Sequence, residues 1–155
     1  MWVALPLPAT RFIVTVWNEA RVFVDTNILI YAIDADAGKK HERAREVVEQ
    51  IWLARTGCLS TQVLSEWIVN LRKKLALDWR RVRKIVEPYL TWHVVTISPR
   101  DPLEAARIAN RYGISYWDGL IVQAARQCGV RFLLTEDLNS GQVLEGVSVV
   151  NPLRR

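Results

Sequence analysis

Three acid-bearing stretches of this chain have the residue types and setting for work on phosphates. Val22-Phe23-Val24-Asp25-Thr26-Asn27 is an apolar run ending in a carboxylate. Ser115-Tyr116-Trp117-Asp118-Gly119 opens a helical pattern, and Phe132-Leu133-Leu134-Thr135-Glu136-Asp137 ends a second apolar run in acid. An acid just past a buried strand and just before a helix sits where open α/β sheets place their ligands. Carboxylates gathered at one sheet edge repel and raise each other's pKa, so a cation is needed to hold them together. Mg²⁺ and Mn²⁺ prefer such oxygen ligands. Each acid also has a purely structural reading. Asp25 can cap the following helix, Asp118 can complete a capping box begun by Ser115, and Asp137 can sit in a turn.

The elements that must position these acids alternate along the chain. Residues 21–25 read as a buried strand and 27–34 as a short helix. Residues 40–55 carry Ala44, Val47, Val48, Ile51 and Trp52 at helical spacing, with Gly57 as the stop. Cys58-Leu59 is a minimal strand. Ser60 or Thr61 then caps a helix with Val63, Leu64, Trp67, Ile68, Leu71 and Leu75 on one face. Asp78 caps the next helix, which Pro88 stops or kinks. Residues 93–97 are β-branched and extended. Asp101-Pro102-Leu103-Glu104 reads as a helix start with Asp101 at the N-cap, and the Ser115 helix runs to Gly129. Residues 130–134 and 147–150 are further strands. Strands alternating with helices predict a parallel sheet covered on both faces, and the high helical content makes that sheet small and central.

The 155 residues fit one domain, and the formal charge of +5 suits a polyanionic partner without proving one. Cys58 and Cys128 stand far apart in sequence with no zinc spacing, and read as small buried hydrophobes. Residues 1–20 are apolar, but Pro6, Pro8, Arg11, Asn18 and Glu19 break them below the ~20 residues of a membrane span. They read as an extension outside a core of residues 21–155. Neither a basic n-region nor a small-residue cleavage site is clear, and no membrane association and a cytoplasmic location are expected.

Four segments resemble the motifs of PIN-domain nucleases, particularly the VapC-type toxins of toxin–antitoxin pairs. They are Val-Asp-Thr-Asn-Ile-Leu-Ile-Tyr-Ala at 24–32, Ser-Thr-Gln-Val-Leu-Ser-Glu at 60–66, Tyr-Trp-Asp-Gly-Leu-Ile at 116–121 and Leu-Leu-Thr-Glu-Asp-Leu at 133–138. The likeness implies an α/β PIN-like fold and a Mg²⁺- or Mn²⁺-dependent endoribonuclease. It maps an acidic quartet onto Asp25, Glu66, Asp118 and Asp137, all four being metal ligands or acting through the metal's waters. Glu66 enters through this likeness alone, because periodicity places it off the apolar face as a solvated helix charge. Asp137 is preferred to Glu136 because the pattern reads threonine, any residue, aspartate. Thr26, Asn27 and Thr135 are then expected to orient the acids.

An RNA substrate would be held by Arg72, Lys73 and Lys74, helped by Arg80, Arg81, Arg83 and Lys84, although a basic helix face is often only solvated. Trp117 is a candidate for stacking on a base. His41 and His93 are expected to be structural. The likeness further implies a small cognate antitoxin and a homodimer, and the apolar faces of 40–55 and 60–75 with their tryptophans are candidate docking grooves. A phosphatase that begins strand-Asp would need a second aspartate at 27, where asparagine stands. A PIN-domain protein with another role in RNA processing, or a catalytically silent RNA-binding module, is the remaining alternative.

Overall fold

The computed structural model describes residues 20–154. The apolar extension therefore lies, but for Ala20, outside the described residues. The chain forms a six-stranded sheet in the order β3-β2-β1-β4-β6-β5. Its strands are β1 (Val22–Val24), β2 (Gly57–Ser60), β3 (His93–Val95), β4 (Phe132–Leu134), β5 (Val143–Leu144) and β6 (Val147–Val150). Six helices flank it: α1 (Thr26–Ile33), α2 (Lys39–Ala54), α3 (Thr61–Lys73), α4 (Trp79–Val86), α5 (Asp101–Tyr112) and α6 (Tyr116–Gln127). The α/β reading of the sequence is the fold observed. None of the described helices is long and apolar enough to cross a membrane.

β1 lies between β2 and β4, parallel to both, and all three of its residues are fully buried. That accounts for an unbroken apolar triplet where a half-exposed strand would alternate. Among the described residues the one antiparallel pairing joins β5 to β6 through Glu145 and Gly146, both at positive φ. β5 escaped the sequence reading because two residues are too few to show a period.

Three local expectations need correction. Gly57 does not stop α2: Arg55 does, in the left-handed region at φ 56°, and Gly57 opens β2. Its missing side chain has a packing reason, since a Cβ there would collide with the Trp92 ring. Asp101 is the first residue of α5 and not its N-cap, which is Arg100. Its buried carboxylate accepts from the Ser98 backbone N–H at 2.6 Å and from Gln123 and Gln127 of α6, fastening two helices together. Finally, α3 ends at Lys73, so Leu75 packs on the core from beyond the helix. Pro88 behaves as expected, since α4 gives way there to a 3₁₀ turn over Glu87–Thr91.

Candidate active site

The register of β1 against β4 pairs Val24 with Leu134, so Asp25 and Thr135 leave the sheet side by side. The Asp25 backbone N–H extends the ladder to the Leu134 carbonyl at 3.0 Å. Asp25 is the helix cap that one of its readings expected, and its carboxylate also reaches β4. Its Oδ1 accepts from the Thr26 N–H at 2.7 Å, capping α1, while its Oδ2 accepts from the Thr135 hydroxyl at 2.8 Å. Only 6% of the residue is exposed.

The other acids arrive from three elements. Glu66 stands one turn into α3, where both of its oxygens are held: Oε2 accepts from the Thr26 hydroxyl and Oε1 from Gln62 Nε2, each at 2.9 Å. It is half-buried, not the solvated charge that periodicity predicted. Asp137 is exposed, and its Oδ2 accepts from Asn27 Nδ2 at 2.9 Å while its backbone N–H donates to Thr135 Oγ1. Asp118 lies in the first turn of α6, its N–H capped by the Ser115 hydroxyl at 3.0 Å. Its neighbour Gly119 faces the Ala105 carbonyl of α5, and a Cβ there would stand 2.5 Å from that oxygen. The glycine thus sets how closely α6 can seat Asp118. Thr26, Asn27 and Thr135 each hydrogen-bond an acid.

Burial, above all, pushes the Asp25 carboxyl up to about 7, with the Asp137 and Glu66 charges adding to it and hydrogen bonds from Thr135 and Thr26 opposing. Burial likewise raises Asp118, and the charges of Asp137 and Glu66 push the same way. The four acids therefore share one electrostatic neighbourhood. Asp25, Glu66 and Asp137 line a cleft of about 300 Å³ with Asn27, Asn70 and Lys74. Glu136, which the sequence set aside, is occupied elsewhere: it pairs with Lys40 at 2.8 Å and accepts from the Tyr31 hydroxyl at 2.6 Å.

Among the described residues no three His, Cys, Asp or Glu side chains are gathered closely enough to hold a metal ion. The donor chemistry still suits a hard cation. The carboxylates repel across the cleft, and Asn27 Oδ1 and Gln62 Oε1 are buried beside them with no hydrogen-bond partner. Gln62 was missed from the sequence. Its signal was its place one turn before Glu66, where an amide can reach an acid at i,i+4.

The basic residues divide. Lys74 borders the cleft and Lys73 is exposed, but Arg72 is engaged structurally, donating to the Leu77 carbonyl at 2.6 Å and lying over the Trp79 ring. Trp117 is 63% exposed beside Asp118. Trp67 is fully buried and offers no docking surface, while Trp52 is half-buried. An exposed apolar groove runs between α3 and α4, lined by Leu64 and Ile68 of the 60–75 face together with Trp79, Val82, Val86 and Leu90. His41 hydrogen-bonds the Tyr31 carbonyl at 2.8 Å, and both cysteines are buried and free.

Similar architectures occur among solved structures. A toxin–antitoxin complex from Klebsiella pneumoniae aligns with a TM-score of 0.62 at 21% identity, over 84% of this chain and 97% of that one. VapC20 of Mycobacterium tuberculosis, a Sarcin-Ricin loop cleaving toxin, aligns with a TM-score of 0.62 at 18% identity, over 82% and 98%. The DNA-bound VapBC of Salmonella typhimurium gives 0.59 at 21% identity, over 83% and 96%. Among curated proteins no sequence matches the chain. At these identities the structures attest to the fold alone. The family model of the PIN domain matches residues 22–143, a span holding all four acids and the parallel strands β1 to β4, and on that match this chain belongs to the PIN-domain family.

Proposed function

We propose that this protein is a Mg²⁺- or Mn²⁺-dependent endoribonuclease and the toxin of a toxin–antitoxin pair. The observation that carries the reading is that Asp25, Glu66 and Asp137 line one cleft past the carboxyl ends of β1 and β4, with Asp118 near enough to feel the Glu66 and Asp137 charges. The ion would be held by Asp25, Asp118 and Asp137, with Glu66 beside it. Once bound, it would supply Lewis acidity to an attacking water and to the scissile phosphate.

The chain's own groups prepare that event. Thr135 and the Thr26 N–H fix the Asp25 carboxylate by one oxygen each. Thr26 and Gln62 fix Glu66, and Asn27 fixes Asp137, so three carboxylates keep their orientation without a ligand. Asp25 must lose its proton to act as a ligand, and its raised pKa makes that loss easiest near and above neutral pH. Lys74 on the cleft rim offers an ammonium to a backbone phosphate.

The antitoxin would be a small protein whose apolar segment fills the groove between α3 and α4, bordered by Arg83 and Glu87. Structural neighbours that are themselves toxin–antitoxin complexes support this partner. The chain would also pair with a second copy of itself, and would work in the cytoplasm.

The test is cleavage of labelled RNA by wild type and Asp25→Asn, with Mg²⁺ or Mn²⁺ and with chelator. Cleavage confined to the wild type with metal supports the nuclease. Equal cleavage by both proteins would end it, and RNA binding without cleavage would leave a silent RNA-binding module. A small open reading frame beside the gene whose product blocks cleavage would separate a toxin from an RNA-processing enzyme.

A further inference from the structure

Another cavity lies at the opposite edge of the sheet from the acids. It holds about 600 Å³ and is bordered by Arg21, Trp52, Arg55, Thr56, Trp92 and His93, around the amino ends of β1, β2 and β3. That volume is typical of a small-molecule site.

Its chemistry is cationic and aromatic. No acid lines it. Arg21 and Arg55 are exposed, and neither guanidinium has an ion-pair or hydrogen-bond partner among the described residues. Such groups usually find a carboxylate when one is near, so two left open on one cavity make an anion-seeking rim. The Arg21 charge is also felt inward, at the Cys58 and Cys128 thiols behind the cavity.

The aromatic wall is built, not incidental. Trp92 is 8% exposed and packs flat on Gly57, whose missing Cβ makes room for the ring. Trp52 meets it edge-on at 5.2 Å, and Tyr89 braces both at 4.9 Å. Thr56 adds a buried hydroxyl with no partner. Fixed indoles beside free guanidinia match a ligand with a flat ring and a phosphate.

We propose that this cavity binds a nucleotide, its base against the Trp52 and Trp92 wall and its phosphate on Arg21 and Arg55. The same chemistry comes from a free mononucleotide or from one residue of an RNA chain. None of these residues belongs to the acidic site, so this reading stands or falls apart from the nuclease reading.

The test is calorimetric titration of the full chain in chelator, where no cleavage proceeds. The probes are 5′-AMP, inorganic phosphate and a short single-stranded RNA. The variants are Arg21→Ala and Arg55→Gly, the latter because glycine keeps the positive φ of position 55 without strain. Saturable 1:1 AMP binding is expected, weakened about tenfold or more by each variant and unchanged in Asp25→Asn. Both arginine variants should melt like the wild type, since both side chains are exposed. AMP binding at least as tight as that of the RNA identifies the free nucleotide, and tighter RNA binding lost in the same variants identifies an RNA residue. Absence of saturable binding by either nucleotide probe would overturn the proposal. So would phosphate binding as tightly as AMP, or affinities that survive in both arginine variants.

Discussion

Asp25 should make the metal-free protein less stable as pH rises toward neutrality. Its carboxyl moves from 3.8 when free to about 7 in the fold. Between those values the folded state holds a proton that the unfolded state has released, so unfolding free energy falls with rising pH. At about 1.4 kcal/mol per pH unit, the full difference is of the order of 4 kcal/mol, and the part between pH 5 and 7 is roughly 2–3 kcal/mol. For a domain of this size that is roughly 5–10 °C in Tm. Asp118 is raised as well and acts in the same direction. Asp101, Glu136 and Glu145 are lowered; their stabilisation is lost only as pH falls below the ordinary carboxylate range, outside this window. Asp25→Asn abolishes most of the slope. It retains one carbonyl acceptor for the two donors at Thr26 and Thr135, which costs about 1–2 kcal/mol. Above pH 7 the variant should still melt higher than the wild type. Thermal unfolding in chelator from pH 5 to 8 measures both slopes. Parallel profiles for the two proteins, or a wild type that gains stability from pH 5 to 7, would refute the reasoning.

Thr135→Val removes the hydroxyl that lowers the Asp25 pKa, so the rising limb of the cleavage pH profile should move to higher pH. Gly119→Ala forces a methyl against the Ala105 carbonyl and should cost about 2–3 kcal/mol in denaturant unfolding, with reduced cleavage because Asp118 is displaced. Lys74→Ala should raise KM for RNA and flatten its salt dependence with little change in Tm. Arg72→Ala should do the reverse, lowering stability by about 1–2 kcal/mol through the lost Leu77 bond and Trp79 contact while RNA binding changes little.

The sequence displayed the strands best where they are buried on both faces. Val22-Phe23-Val24 and Phe132-Leu133-Leu134 could hardly be anything else, and their parallel pairing carries Asp25 and Thr135 to one edge. Caps were also legible, because Ser60, Asp78 and Ser115 each satisfy the N–H three residues on, a purely local interaction. Contacts between distant residues were not. Asp101 carried every local mark of an N-cap, yet it binds Gln123 and Gln127, which only tertiary packing brings to it. Glu66 looked solvated because periodicity reports the face a residue occupies, and cannot see that Thr26 lies 40 residues away in sequence at hydrogen-bond distance. The Arg72 contacts with Trp79 and the Leu77 carbonyl were likewise invisible to composition.

The central claim is that Asp25, Glu66, Asp118 and Asp137 act as one divalent-cation site. Titration of Mn²⁺ into the metal-free protein at pH 8, followed by calorimetry, tests it without RNA. Saturable binding to the wild type is expected, weakened about tenfold or more by Asp25→Asn, with affinity that falls as pH drops below about 7 and Asp25 is protonated. Wild type and Asp25→Asn binding Mn²⁺ equally, or neither binding it saturably, would contradict it.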